Sequence, residues 1–328
     1  MVDVSIVVPV YNSEKTIEKT INALLSQKTR KNYEIIVVDD GSTDSTPKIL
    51  ARYKKQGIKV IRQKNKGPAA ARNTGWKNAK AKIVAFIDSD CRPVSNWLEA
   101  MAKPFSDKNV GAVGGTYRTE NKYSLLARYV GLDIEMRHSR FKREIEGTGS
   151  FSIAFKKNLL KKTGGFDETY RKPTAEDFDL CFSIRKLGKK IMFAPGAIVY
   201  HYHPEKFFRF LKEQFRHARA RTYMYNKFKS RIKGESYTPL STLITIPLSF
   251  LFIISSPLLF FKKLFFFPLA IFLILILLTL PFFFYALKKK DFSVAFASIP
   301  IQLSRFFAWA FGMIAGATDI ITGRRGKF

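Results

Sequence analysis

Cysteine is scarce in this chain. There are two, Cys91 and Cys181, in no metal-binding or redox spacing. That excludes a disulfide framework and suits a reducing compartment. Acidic residues are also few, 26 against 56 Lys and Arg, for a formal net charge of +30. Such a deficit points to a polyanionic partner: nucleic acid, an anionic membrane surface or phosphorylated substrates. Charge alone does not choose among them. Met1 to Val10 lacks a basic stretch and its apolar run is short, so no signal peptide is expected there. Internal repeats and long low-complexity tracts are missing as well. Phenylalanine, by contrast, is abundant at 31 residues, and the last third of the chain is strongly apolar. That apolar third favours a membrane over nucleic acid, which is not expected as a partner.

The first half alternates short apolar runs with helical patterns. Val4 to Val10 reads as a buried parallel strand, and Glu14 to Gln27 as a helix with Ile17, Ile21, Leu24 and Leu25 on one face. Glu34 to Asp39 is a second strand, ending in Asp39-Asp40-Gly41-Ser42-Thr43-Asp44, which is turn chemistry. Ile58 to Ile61 is a third strand, and Gly67 to Lys80 an Ala-rich helix holding Arg72. Ile83 to Ile87 then delivers Asp88-Ser89-Asp90. Two carboxylates at the carboxyl end of such a strand stand in the ligand crevice of an open α/β sheet. Their oxygens suit Mg²⁺ or Mn²⁺. This alternation implies right-handed crossovers and a parallel sheet.

Further strands are expected at Val110 to Tyr117, Phe151 to Phe155, Ile191 to Ala194 and Ala197 to Tyr202. A helix is expected over Tyr123 to Arg140. Thr174-Ala175-Glu176-Asp177 precedes another helix and also fits a capping box. His201 and His203 would share one strand face by alternation, and either is a candidate third metal ligand beside Asp90.

Pro204 to Ile232 is rich in Arg, Lys and aromatics, as an amphipathic helix at a membrane interface is. Residues 239–261 and 264–287 are each apolar and uncharged over the roughly 20 residues a bilayer crossing needs. Residues 292–321 form a third apolar segment that carries Arg305. It would span, with Arg305 turned to protein or headgroups, or lie partly in the interface. Three spans are expected. The domains are therefore drawn as a catalytic domain over 1–203, basic interfacial helices over 204–236 and a transmembrane domain over 237–328. The fold class is α/β, with a mixed sheet flanked by helices and a small helical membrane domain after it.

In order along residues 3–203, these stretches resemble a family 2 glycosyltransferase with a GT-A, Rossmann-like nucleotide-sugar domain. Val8-Pro9-Val10-Tyr11-Asn12 is similar to the family's opening strand and turn. Val38-Asp39-Asp40-Gly41-Ser42-Thr43-Asp44 resembles the motif that contacts base and ribose. Ala71-Arg72-Asn73-Thr74-Gly75 resembles the helix whose arginine helps hold the nucleotide. Asp88-Ser89-Asp90 matches the metal–diphosphate motif. Gly164-Gly165-Phe166-Asp167 followed by Glu176-Asp177 resembles the acceptor side. The resemblance implies Asp177 as the catalytic base. It puts Pro9, Tyr11, Asp39, Asp40, Arg72 and Asp88 at the nucleotide, and Asp90 and Asp88 at a Mn²⁺ or Mg²⁺ ion. Thr148, Gly149 and Glu176 are assigned to the acceptor side, as are Gln214 and Arg216. Gln214-Phe215-Arg216-His217 is similar to the Gln-x-x-Arg-Trp motif of membrane polysaccharide synthases, with the arginine one place early and no tryptophan.

The expected activity is inverting transfer of a hexose, such as mannose or glucose, from a GDP- or UDP-linked donor to a lipid-linked glycan. The protein would be multi-pass in the membrane, with the catalytic domain cytoplasmic. Synthesis of a polyprenyl-phosphate sugar is the alternative reaction. A membrane-anchored binding protein without catalysis is the alternative of another class.

Overall fold

The computed structural model describes residues 2–230, 237–238 and 240–323. The expected ends of the basic helix beyond residue 230, Pro239 and the pair Arg324-Arg325 lie outside these. The chain divides into two compact units. The first holds residues 2–120 and 141–202, and the second holds residues 121–140 with the described residues from 203 onward.

The first unit is built on one mixed sheet. Its elements are β1 (Val4–Val10), α1 (Ile17–Leu25), β2 (Tyr33–Asp39), α2 (Thr46–Lys55), β3 (Lys59–Arg62), α3 (Pro68–Lys77), β4 (Ile83–Ile87), β5 (Cys91–Pro93) and α4 (Trp97–Ala102). After these comes β6 (Val110–Thr119). Helix α5 (Leu125–His138) belongs to the second unit. The chain then returns with β7 (Glu144–Ile145), β8 (Ser152–Lys156), α6 (Lys157–Thr163), α7 (Glu176–Lys186) and β9 (Lys190–His201). Strand order is β3-β2-β1-β4-β8-β6-β9-β5, with β7 beside β9. Strands β3, β2, β1 and β4 run parallel, whereas β8 is antiparallel to both β4 and β6.

Side-chain alternation sorts β1 onto two cores. Val4, Ile6, Val8 and Val10 pack with Ile17, Ile21, Leu24 and Trp97 on one face. Val7 packs with Ala71, Trp76 and Leu160 on the other. Burial on both faces is why β1 reads as an unbroken apolar run. Pro9 is tolerated in this central strand because β4 pairs with β1 only from Val4 to Val7. Beyond that point the missing N–H leaves no ladder bond unmade. The chain leaves β1 toward β2 on one side and reaches β4 on the other. The loops after β1, β2 and β4 therefore meet at the switch point where such sheets bind ligands.

Three expectations change in detail. The two strands expected at residues 191–202 are one strand, β9, paired to β6 across register shifts at residues 110–112 and 114–116. Strand β5 is short and was not foreseen. Helix α1 starts at Ile17 rather than Glu14. Glu14 is held in the preceding turn, its Oε2 accepting from Ser45 N (2.9 Å) and its own N–H donating to Asp44 Oδ2 (3.1 Å).

The second unit packs α5 with α8 (Phe207–Lys227), α9 (Leu240–Ser255), α10 (Phe266–Leu277), α11 (Leu280–Lys288) and α12 (Phe292–Ile321). Among the described residues, three stretches are long and apolar enough to cross a membrane: Leu240–Phe260, Phe266–Lys288 and Phe292–Ile321. The second is broken between α10 and α11, at Pro281, whose ring cannot continue the hydrogen-bond ladder. Gln302 Nε2 donates to the buried Thr279 carbonyl there (3.3 Å).

Candidate active site

The site grows from the three loops at the switch point. Asn12, with a left-handed φ of 49°, turns the chain after β1. Its Oδ1 accepts from Thr43 N (2.8 Å), and Ser42 Oγ accepts from Asn12 N (3.0 Å), tying this loop to the one after β2. Ser13 Oγ lies 2.7 Å from Ser89 Oγ, which ties it to the loop after β4. Tyr11 projects from the rim, about half exposed at 49%.

Asp39 and Asp40 end β2 and are both buried. Asp39 Oδ1 accepts from Ser42 N (2.9 Å), and Oδ2 lies 3.5 Å from Arg62 Nε. Asp40 accepts from Gln63 Nε2 (2.7 Å), Lys66 N (2.9 Å) and Gly67 N (2.8 Å). A carboxylate offers about four lone-pair positions, and three of these are occupied. Asp40, read from the sequence as a nucleotide contact, thus builds the entrance to α3. Gly67 opens that helix at φ 95°, where a Cβ would stand 2.7 Å from the Arg171 carbonyl oxygen. Only glycine suits both constraints.

Arg72, on α3, is 2% exposed and forks between two carboxylates. Nη2 reaches Asp88 Oδ1 and Nη1 reaches Glu176 Oε1, both at 2.9 Å. The guanidinium lies over the Phe166 ring, 5.6 Å from its centroid. It joins the β4 loop to the start of α7, a link no local motif announced. Asn73, also missed in the sequence, holds the Gly164-Gly165-Phe166-Asp167 stretch. Its Nδ2 donates to Phe166 O (2.8 Å), and its Oδ1 accepts from Phe166 N (2.9 Å). That stretch therefore braces α3, and the close approach of Asn73 accounts for Gly165. A Cβ on Gly165 would stand 2.4 Å from Asn73 Oδ1.

Asp177 is buried beside Gly149. Its Oδ2 accepts from Ser150 N (2.9 Å) and its Oδ1 from Phe178 N (2.8 Å). Burial, and then the charge of Glu176, raise its carboxyl from 3.8 to about 7; the two N–H groups and Arg72 pull the other way. A Cβ on Gly149 would lie 3.6 Å from Asp177 Oδ2 and 2.8 Å from the Phe151 ring. The Phe151 ring is what requires glycine here; toward Asp177 a Cβ would make an ordinary contact. Thr148 is fully buried, and its hydroxyl has no hydrogen-bond partner among the described residues.

Asp90, Cys91 and His201 each bring one donor atom to within 4.8 Å of the others, which makes them a cation-competent cluster. His201 Nε2 stands 3.5 Å from Asp90 Oδ1, and Tyr117 stacks on the imidazole. Burial is the largest influence on the Asp90 carboxyl and raises it; His201 opposes, and Asp88 adds to the rise. Burial, then Asp90 and Asp88, push the Cys91 thiol well up, so its sulfur stays protonated. Oxygen and imidazole donors without a thiolate fit Mn²⁺ or Mg²⁺. His203 does not share a strand face with His201. β9 ends at His201, so alternation stops there, and His203 lies in the second unit with its main chain bonded to Asn121. Gln214 and Arg216 are also in the second unit, on α8. Gln214 Oε1 accepts from Trp309 Nε1 (3.0 Å), and Arg216 lies 4.0 Å from Glu213.

Residues 5–163 match the family model described as glycosyl transferase family 2. Residues 129–241 match the model described as glycosyltransferase like family 2. The chain is 33% identical over 170 residues to glycosyltransferase AglE of Haloferax volcanii, covering 50% of this chain and 55% of that protein. It is 36% identical over 128 residues to the Escherichia coli UDP-Glc:alpha-D-GlcNAc-diphosphoundecaprenol beta-1,3-glucosyltransferase WfgD, covering 39% and 50%. The chain thus spans about half the length of the relatives it matches. Among solved structures it resembles the mannosyltransferase PcManGT from Pyrobaculum calidifontis, in complex with GDP-Man and Mn²⁺. That likeness has a TM-score of 0.60 and 20% identity, and it covers 98% of this chain and 88% of that one. It establishes the GT-A fold.

Proposed function

The chain belongs to glycosyltransferase family 2, and from that premise we propose that it is a membrane-bound, inverting hexosyltransferase. Its donor is a nucleoside diphosphate sugar, GDP- or UDP-linked, and its acceptor a saccharide carried on a polyprenyl or dolichyl lipid. The observation that carries this reading is Asp177: a buried carboxyl raised to about 7, with Gly149 beside it. A hydroxyl acceptor needs such a base, whereas a lipid phosphate is already ionised. The lipid-linked saccharide in WfgD's name supports the same acceptor class.

Asp177 takes the proton of the acceptor hydroxyl as its oxygen bonds to the anomeric carbon. The bond from that carbon to the diphosphate oxygen breaks, and its electron pair leaves with the diphosphate. One such displacement inverts the anomeric centre. Arg72 holds Asp88 at the nucleotide side while holding Glu176 next to the base. Asp90, Asp88 and His201 would hold the divalent cation, which when bound neutralises charge on the departing diphosphate. The apolar helices anchor the protein, with the catalytic domain on the cytoplasmic side, where nucleotide sugars are made.

The test is a transfer assay on the full chain with Mn²⁺ and labelled nucleotide sugars, offering plain polyprenyl phosphate or a polyprenyl-linked saccharide. Transfer to the saccharide that Asp177→Asn abolishes is the expected result. Efficient transfer to bare phosphate, indifferent to the substitution, makes the protein a polyprenyl-phosphate sugar synthase. Absence of both transfer and cation-dependent nucleoside diphosphate binding makes it a binding protein.

A further inference from the structure

Glu176 reads from the sequence as an acceptor contact, and its surroundings do not allow one. It is 1% exposed, against 9% for Asp177 beside it. Each of its oxygens is engaged. Oε1 accepts from Arg72 Nη1 (2.9 Å) and Oε2 from Thr174 N (2.8 Å). A carboxylate this enclosed meets no acceptor hydroxyl.

What it does hold is the start of α7. That helix begins at N-cap Ala175 with no side-chain cap, so the capping box that the sequence offers at Thr174 is not made. Glu176 supplies the mooring instead. Through Arg72 it ties the first turn to α3, and through Thr174 N it fixes the chain that enters that turn. The bonds from Ser150 N and Phe178 N then set where the Asp177 carboxyl points.

Charge makes the placement more than a mooring. Burying a carboxylate is costly, and a well-packed apolar contact is often as stabilising as a buried ion pair. Arg72, moreover, is shared: its other arm pairs with Asp88 at 2.9 Å. One positive charge thus answers two carboxylates, and the surplus is negative. That surplus stands next to Asp177. After burial, Glu176 is the largest influence on Asp177 and raises it, with Arg72 in opposition. Asp179, on the same helix, accepts from Tyr170 Oη (3.3 Å). A neighbouring negative charge disfavours an ionised carboxyl and so strengthens it as a base.

We propose that Glu176 is a positioning residue for the transfer reaction. It moors the first turn of α7 to Arg72 and sets a fixed negative charge beside the base, without touching the acceptor. This role rests on Asp177 being that base. The acceptor hydroxyl gives its proton to Asp177 as its oxygen bonds to the anomeric carbon. The charge of Glu176 favours the proton's arrival, and the diphosphate leaves with the electron pair of the broken bond.

The test is a pH–rate profile on the full chain, with Mn²⁺, a labelled nucleotide sugar and a polyprenyl-linked saccharide. Glu176→Gln keeps the side chain's length and removes its charge. The rising limb of kcat is expected to move to lower pH by about one unit. The plateau is expected to fall, because a weaker base takes the proton less readily. KM for the saccharide is expected to stay unchanged. Glu176→Asp keeps the charge and shortens the reach, so its limb is expected to stay in place while its plateau falls. If Glu176→Gln alone does not fold, the double variant Arg72→Gln with Glu176→Gln, two amides in place of the buried ion pair, is compared with Arg72→Gln. The double variant is then expected to have the lower limb. A raised saccharide KM with an unmoved limb makes Glu176 an acceptor contact and overturns the proposal. Asp177→Asn separates the two levels. A chain that keeps the parent's rate and limb overturns the base assignment, and the role of Glu176 with it. An inactive Asp177→Asn chain beside an unmoved Glu176→Gln limb overturns the role of Glu176 alone.

Discussion

Two pairs of adjacent acids flank α3 in the chain, and they are used in contrary ways. Asp39 and Asp40 spend their oxygens on Ser42, Gln63, Lys66 and Gly67, and they shape loops. Glu176 and Asp177 share less. Arg72 answers Glu176, while Asp177 has two N–H donors against burial and a neighbouring negative charge. Asp40 takes three donors and braces its loop, whereas burial and the charge of Glu176 outweigh the two N–H donors on Asp177 and raise it to about 7. Sequence shows two acidic doublets; the surroundings of each decide how its carboxyls titrate.

The strongest way to break this contrast is Asp177→Asn. Turnover on a saccharide acceptor is expected to fall by roughly 10²–10⁴-fold, the range for loss of a general base. Single-turnover assays with saturating donor check this, and nucleotide affinity should be unchanged. Next is Arg72→Ala, which leaves Asp88 and Glu176 without their cation. A buried pair broken from one side costs about 3–5 kcal/mol. Thermal unfolding of the detergent-solubilised full chain reads this, and Arg72→Lys, with no planar fork, should recover only part of it. Asp40→Asn tests the brace. It turns an acceptor into a donor facing other donors, and is expected to cost roughly 1–3 kcal/mol in denaturant unfolding.

The smallest effect sharpens the contrast through pH. Asp177 acts only when ionised, so the rate with a hydroxyl acceptor should rise with pH and level off above about 7. Stability should move the other way. Because this carboxyl titrates higher in the folded chain than in the unfolded one, the folded chain keeps a proton that the unfolded chain has lost between 3.8 and about 7. Stability therefore falls as pH rises through that window. Asp177→Asn should flatten that slope, while Asp40→Asn should leave it in place. Comparing melting temperatures at pH 5 and pH 8 for the three chains checks both statements.

Strands β1, β2 and β4 were legible because they are buried on both faces and end in turn-forming residues. Asp88-Ser89-Asp90 could be placed at a strand end for the same reason. The pairing of Arg72 with Glu176 was not legible, since 104 residues separate them. Nor was the removal of Asp40's lone pairs by the 63–67 segment, nor the end of β9 at His201. These depend on where distant backbone comes to rest, and period-2 or helical patterning carries no such information.

α12 marks the same limit in the second unit. Its composition permits a crossing, and the sequence determines that much: apolar length, one arginine, two glycines four residues apart. The sequence by itself also determined most of the sheet's strands, the place of Asp88 and Asp90 at the end of β4 and the apolar helices, because local burial patterns and strand-end chemistry are written in neighbouring residues. Only the tertiary structure decided which acids are held by several donors, which one is raised by burial, and which charges stand beside α12. Those outcomes turn on desolvation and on hydrogen-bond donors delivered from far along the chain.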